Sequence, residues 1–179
     1  MIRFVAQSVL GLCLVLGVWS GPAAADSHAD SQRLAEEAIA AFKEANPRTE
    51  IFFAKSHGYA VFPAVTKGGL ILGGASGGGT VYEQGKVIGG SSVTQFTFGV
   101  QLGGMSFKEI VFFKDSAALE RFKAGTLEMS GDVSSVAVIT GSSNAMDFAD
   151  DTAVFTLADG GLMLELSLGA QNFSFEPTP

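Results

Sequence analysis

The sequence predicts an α+β fold: a glycine-rich, mostly antiparallel β-sandwich or partly closed barrel with N-terminal helices and one inserted helix. Apolar residues recur at helical spacing between residues 31 and 58, and from Tyr59 onward they alternate at a period of two. One further helical pattern, over residues 115–125, interrupts the strands. Because no linker is long enough to divide these elements, we expect a single domain over residues 31–179.

The first 25 residues have the pattern of a secretory signal peptide. Arg3 supplies a positive charge, Phe4 to Trp19 is almost wholly apolar, and Ala23–Ala25 offers small residues for cleavage. The apolar run is shorter than the roughly 20 residues that a membrane-spanning helix needs. We therefore expect cleavage after Ala25, a periplasmic or secreted protein, and a flexible lead-in over residues 26–30.

Cysteine content and charge exclude several classes of function. The single cysteine, Cys13, lies inside the apolar run and follows Leu12, whereas a lipoprotein signal requires a small residue at that place. The mature chain is therefore expected to contain no thiol, and so no disulfide or thiolate metal site. The formal net charge of the full chain is −7. A negative net charge argues against nucleic acid as a partner, because nucleic-acid binding needs a basic surface.

The first helix is predicted to begin at Asp30 or Ser31 and to end at Asn46-Pro47. Its apolar face includes Leu34, Ile39 and Phe42, which are our candidate lipid-binding residues. Its polar face carries three acids and two bases, at positions 33, 36, 37, 43 and 44. Helices that lie on membranes are usually rich in Lys and Arg on this face, so the pattern favours docking on the sheet over membrane contact.

The strands follow from alternation and turn residues. Pro63 within "YAVFPAV" predicts an edge strand or a bulge, and "EIVFF" is typical of a strand buried on both sides. Hairpins are predicted at "TVYEQGKVI" and at "TAVFTLADGGLMLELSL", with further strands at "VSSVAVIT" and "QNFSF". In the inserted helix, Leu119 and Phe122 should face inward and Gly125 should end the helix.

The glycine-rich segment Val65–Lys86 does not fit a phosphate-binding loop. Gly73 and Gly78 have the separation of such a loop, but Gly79 stands where the phosphate-binding lysine is required. A dinucleotide fingerprint fails as well, because Tyr82 replaces its third glycine and a strand pattern follows. We therefore expect Gly77 and Gly78 to serve bends, bulges or close approach of backbone, and we expect no cofactor.

No catalytic or metal-binding constellation emerges from the sequence. His57 could be combined with Asp150 or Asp151 and a serine, but no nucleophile-elbow motif is present. The acids Asp147, Asp150 and Asp151 match no calcium-loop spacing and are better interpreted as a solvated acidic turn. The sequence predicts a protein that is not an enzyme.

Three segments together resemble the bacterial branch of the SYLF domain family. They are "GYAVFPAVTKGGLILGGASGGGTVYEQGKVIG", "TQFTFGVQLGGMSFKEIVFFKDSAALERFKAG" and "AVFTLADGGLMLELSLGAQNFSFEP". The resemblance covers about Ile51 to Pro177 and implies a glycine-rich β core. Eukaryotic members bind phosphoinositide membranes, partly through an amphipathic helix, and some bind actin. An exported bacterial protein would meet little of either, so no actin partner is expected.

The predicted function is that of an exported, non-enzymatic SYLF-domain protein that binds lipid or another apolar ligand in the cell envelope. The alternative is an envelope structural or protein-interaction module with no lipid role. Two departures from the family separate this chain from eukaryotic members: the acidic face of its first helix, and "GGSSVTQ" in place of a tryptophan-containing segment.

Overall fold

The computed structural model describes residues 23–69, 72–98, 104–127, 148, 151–158, 161–163 and 171–178. These residues form three helices and seven strands. The helices are α1 (Ala23–Ala45), α2 (Thr49–Lys55) and α3 (Ser116–Lys123). The strands are β1 (Gly58–Gly69), β2 (Leu72–Glu83), β3 (Lys86–Phe98), β4 (Gly104–Phe113), β5 (Thr152–Ala158), β6 (Gly161–Met163) and β7 (Gln171–Pro177).

The seven strands belong to one antiparallel sheet in the order β6-β5-β4-β1-β2-β3-β7. The predicted α+β class is confirmed, and the mostly antiparallel character with it. Among the described residues the sandwich alternative is not found: all seven strands belong to this one sheet, and helices α1 and α2 pack on one of its faces. The sheet is also not closed into a barrel, since β6 and β7 stand at opposite ends of the strand order.

The sheet is nevertheless strongly curled. Phe62 lies on β1 and Phe173 on β7, with β2 and β3 between them, yet their ring centroids are 5.7 Å apart. In a flat sheet three strand spacings would separate them by about 14 Å. Phe122 of α3 packs against both Phe113 and Phe173, with ring centroids 4.7 and 5.1 Å away. The third helix therefore fills part of the inside of the curl.

Alternation along the strands divides the core into an inner and an outer cluster. On β4, Val111 and Phe113 point to the inner cluster with α3, while Ile110 and Phe112 point to the outer cluster with α1 and α2. All four side chains are fully buried, so the prediction that this strand is buried on both sides is confirmed.

Helix α1 begins earlier than the sequence pattern predicts. Residues 26–30, expected as a flexible lead-in, are helical, and the predicted start at Asp30 or Ser31 is wrong. Alanines at 23–25 have the highest helix propensity of any residue. Arg33 also pairs with Asp30 at 3.7 Å and with Glu37 at 2.6 Å, spacings that support a helix on both sides of residue 31.

Pro63 lies in a bulge at the centre of the sheet. The register of β1 shifts between Phe62 and Val65 against β4, and between Val61 and Thr66 against β2. The bulge that the proline predicts is therefore confirmed, whereas an edge position is excluded because β1 stands between β4 and β2. A bulge contains an extra residue that is not paired in the hydrogen-bond ladder. Proline, which has no backbone N–H to donate, is therefore tolerated there.

The first predicted hairpin and the inserted helix agree with the sequence. Of the second hairpin, β5 pairs antiparallel with β6, and residues 159–160 and 164–168 lie outside the described residues. Gln84 and Gly85 turn the chain between β2 and β3 with positive φ, as a two-residue hairpin requires. In α3, Leu119 and Phe122 are buried, and Gly125 follows at φ +67°. The predicted signal peptide (residues 1–22 of it) and the predicted strand at 133–140 lie outside the described residues. None of the helices in the described ranges has the length and apolar character of a membrane-crossing helix.

Candidate ligand-binding groove

The three candidate lipid-binding residues of α1 lie in different surroundings. Phe42 is fully buried in the outer core, and Ile39 is partly buried against it. Leu34 is 42% exposed. Helix α1 therefore docks on the sheet, as the sequence favours, and of the three only Leu34 is freely available to a ligand.

Small residues explain how closely α1 lies on the sheet. Ala35 and Ala38 are fully buried on the side of α1 that packs against the sheet. Larger side chains at these positions would increase the distance between the helix and the sheet. In the N-terminal half of α1, the carbonyl oxygen of Ser31 accepts a hydrogen bond from Oγ1 of Thr80 on β2 at 3.4 Å. This contact fixes the N-terminal half of α1 over the glycine-rich strand.

A groove opens beside this part of α1. It has a volume of about 640 Å³, within the range typical of small-molecule sites. The start of α1 forms one wall, the bulge of β1 another, and strands β2, β3 and β7 the floor. Its apolar side chains are Leu34, Pro63, Ala64 and Val87, and its polar ones include His28, Ser31, Gln32, Thr80, Ser91, Ser92, Ser174, Glu176 and Thr178.

The floor of the groove is made of very small residues. The sheet register places Gly78, Ser92 and Ser174 in one row across β2, β3 and β7. The hydroxyls of Ser92 and Ser174 lie 2.7 Å apart, and Gly78 has nothing within 4 Å of the place where a Cβ would be. A ligand can therefore approach the backbone of the sheet closely at this row.

The neighbouring glycines have a packing role. A Cβ on Gly77 would lie 2.5 Å from the carbonyl oxygen of Ala64, and one on Gly79 would lie 2.5 Å from the ring of Phe62. The bulge of β1 and its phenylalanine thus occupy the space that these glycines leave free. The expected structural role is confirmed for Gly77, whereas Gly78 faces open space and does not need to be glycine for packing.

The outer cluster contains two tyrosines: Tyr82, which is 4% exposed, and Tyr59, which is partly buried. Tyr59 and Tyr82 stack with ring centroids 4.9 Å apart, and the Tyr82 hydroxyl has no hydrogen-bond partner among the described residues. Burial, then the neighbouring Tyr59 and Glu36, raise the pKa of Tyr82 to about 12. Burial also raises the pKa of Tyr59. Both tyrosines are therefore neutral packing residues at physiological pH.

Of the residues named for catalysis, His57 and Asp151 are described, and their side chains have different partners. His57 Nε2 lies 2.8 Å from Glu83 Oε1, whereas Asp151 pairs with Lys114 and Arg121, each at 3.5 Å. The other two acids of the predicted acidic turn, Asp147 and Asp150, lie outside the described residues. Within the described ranges, no group of three or more His, Cys, Asp or Glu side chains could hold a metal ion.

Neither protein-family models nor curated proteins give a match to this chain. The resemblance to the SYLF domain family consequently stays a prediction.

Sequence patterns could not have located the groove. Its lining comes from five elements, and only Leu34 was singled out from the helical pattern. Serines and glycines on strands carry no local signal for binding, because the same residues are common in turns. The groove exists because α1 covers β1 and β2 but leaves the outer face of β3 and β7 open.

Proposed function

We propose that the protein is an exported, non-enzymatic SYLF-domain protein that binds lipid or another apolar ligand in the cell envelope. The ligand lies in the groove between the start of α1 and strands β2, β3 and β7. The observation that carries this proposal is the groove itself: about 640 Å³ in volume, with Leu34 42% exposed on its wall.

The lining suits a ligand that has both an apolar and a polar part, as a lipid does. Leu34, Pro63, Ala64 and Val87 offer apolar contacts, and the row of Gly78, Ser92 and Ser174 offers backbone and hydroxyl groups at one side. Polar groups that orient a ligand beside apolar side chains are typical of small-molecule sites. The signal-peptide pattern at the N-terminus supports a location where envelope lipids are available.

The experiment is lipid extraction and mass spectrometry of the purified protein, followed by flotation with zwitterionic vesicles. We expect a copurifying lipid and weak vesicle binding that Leu34→Asp abolishes. Ile51→Asp is the matched control, because Ile51 is 48% exposed on α2 and does not line the groove. Ser92→Trp, which would fill the floor, should also reduce binding.

The negative charges of α1 predict how vesicle binding should depend on lipid charge and on salt. The exposed acids Glu36, Glu37 and Glu44 should repel an anionic surface, so binding to anionic vesicles should be weaker and should increase as salt screens the repulsion. Absence of any bound lipid, together with equal flotation of wild type, Leu34→Asp and Ile51→Asp, would contradict the proposal and favour the protein-interaction alternative.

A further inference from the structure

Four polar side chains are buried on the inner face of the curled sheet. Glu109 of β4 is 0% exposed, and Gln95 of β3, Thr156 of β5 and Gln171 of β7 are 3–5% exposed. Each stands two residues from a member of the inner apolar core: Val93, Phe107, Val111, Val154 and Phe173. Side chains two residues apart on a strand point to the same face, so all four point into the curl.

The four side chains form one cluster. The sheet register pairs Gln95 with Gln171 and Glu109 with Thr156. Cross-strand partners on one face have Cβ atoms about 4.5–5.5 Å apart. Gln171 Nε2 donates a hydrogen bond to Glu109 Oε2 at 3.2 Å, and this bond joins the two pairs across the inside of the curl.

The cluster is rich in oxygen atoms that accept hydrogen bonds or bind cations. It contains one carboxylate, two amide carbonyls and one hydroxyl. Gln171 Oε1 is buried and has no hydrogen-bond partner among the described residues. A buried carbonyl oxygen without a partner is unfavourable, and a small positively charged ligand would satisfy it.

We propose that this cluster is a binding site for a monovalent metal cation, with sodium as the representative. Its ligands would be the Glu109 carboxylate and oxygens of Gln95, Thr156 and Gln171. Hard cations prefer carboxylate, carbonyl and hydroxyl oxygens. The Gln171 amide can donate from Nε2 to Glu109 while its Oε1, which has no partner among the described residues, binds the ion.

Charge balance selects a monovalent over a divalent ion. The single carboxylate of Glu109 neutralises one positive charge, and the other three cluster members are uncharged. A divalent ion would leave a net positive charge inside the protein, which is costly in a medium of low dielectric constant.

Thermal unfolding of the purified protein tests the site when sodium chloride is replaced by choline chloride at the same ionic strength. Choline is too large for the cluster but screens surface charges equally. We expect the wild-type midpoint to be higher in sodium by about 3–5 °C, because a ligand that binds only the folded state raises it. Glu109→Gln should lose this difference, and Glu50→Gln, at an exposed acid on α2 that lines neither this cluster nor the groove, should keep it.

Sodium-23 line broadening by the wild-type protein provides a measurement that does not depend on the stability of a variant. Broadening by the folded wild-type protein should exceed that by the same protein unfolded in urea, each measured against sodium in the same buffer without protein. Equal wild-type midpoints in sodium and choline, a sodium effect that persists in Glu109→Gln, or a larger stabilisation by calcium at equal ionic strength would each overturn the proposal.

Discussion

The rings of Phe62 and Phe173 are 5.7 Å apart, although two whole strands separate β1 from β7 in the sheet. This contact closes the inside of the curl, and Phe122 of α3 packs on it from the end. The contact explains why an open sheet can enclose a core of its own.

Phe62→Ala is therefore expected to lower the free energy of unfolding by about 3–5 kcal/mol, the usual cost of truncating a fully buried phenylalanine. Chemical denaturation monitored by circular dichroism measures it. Phe173→Ala should have a similar effect, and the double variant should lose less than the sum of the two, because the residues share one contact. Strictly additive losses would show that the contact contributes little.

Substitution by alanine should change the free energy of unfolding differently at three adjacent glycines of β2. Gly77→Ala and Gly79→Ala should each lower the free energy of unfolding by about 1–3 kcal/mol, because the new Cβ would collide with Ala64 or Phe62. Gly78→Ala has open space and should change it by no more than about 0.5 kcal/mol. Urea denaturation of the three variants compares them directly, and equal losses at all three positions would contradict the packing explanation.

On α1, we expect Phe42 to contribute to stability and Leu34 to contribute to ligand binding. Phe42→Ala should lower the free energy of unfolding by about 3–5 kcal/mol, since its ring is fully buried in the outer core. Leu34→Ala should change it by no more than about 0.5 kcal/mol, because the residue is 42% exposed and is not part of the buried core. Calorimetry with vesicle flotation distinguishes the two roles. Unchanged melting of Phe42→Ala together with lost vesicle binding would show that this face serves a membrane.

The two tyrosines predict a pH dependence at high pH. They are the only tyrosines in the chain, so ultraviolet absorbance of the phenolate reports on them alone. The pKa of Tyr82 is raised from 10 to about 12 by burial, then by Tyr59 and Glu36. In the folded protein we expect Tyr82 to ionise with a pKa of about 12 and Tyr59 above its ordinary value, and in urea both should ionise near pH 10.

A raised tyrosine pKa means that the folded state holds the proton more tightly than the unfolded state does. This contribution to stability is complete below pH 10 and is lost as the pH rises from 10 to about 12. Tyr82→Phe should remove the later step of the absorbance titration and flatten the loss of stability in that window. A single ionisation near pH 10 in the folded protein would show that Tyr82 is accessible to water.

Local patterns were sufficient for most individual elements. The nearly continuous apolar run in "EIVFF" predicts a strand buried on both faces, and Leu119, Phe122 and Gly125 predict the orientation and end of α3. These predictions succeed because side-chain direction on a strand or helix depends on spacing within a few residues. The start of α1 was missed, because the helix-forming alanines precede the expected cap.

Only the tertiary structure decided how the strands share one sheet and what lies inside it. The curl brings Gln171 to Glu109 and Phe173 to Phe62, residues that no periodicity relates. It also distinguishes Gly77 and Gly79, which face the bulge and ring of β1, from Gly78, which faces the groove. Periodicity assigns residues to the faces of a strand, but contacts between distant strands depend on the twist and curvature of the whole sheet. That curvature results from packing of the complete chain, so it has no local signature in the sequence.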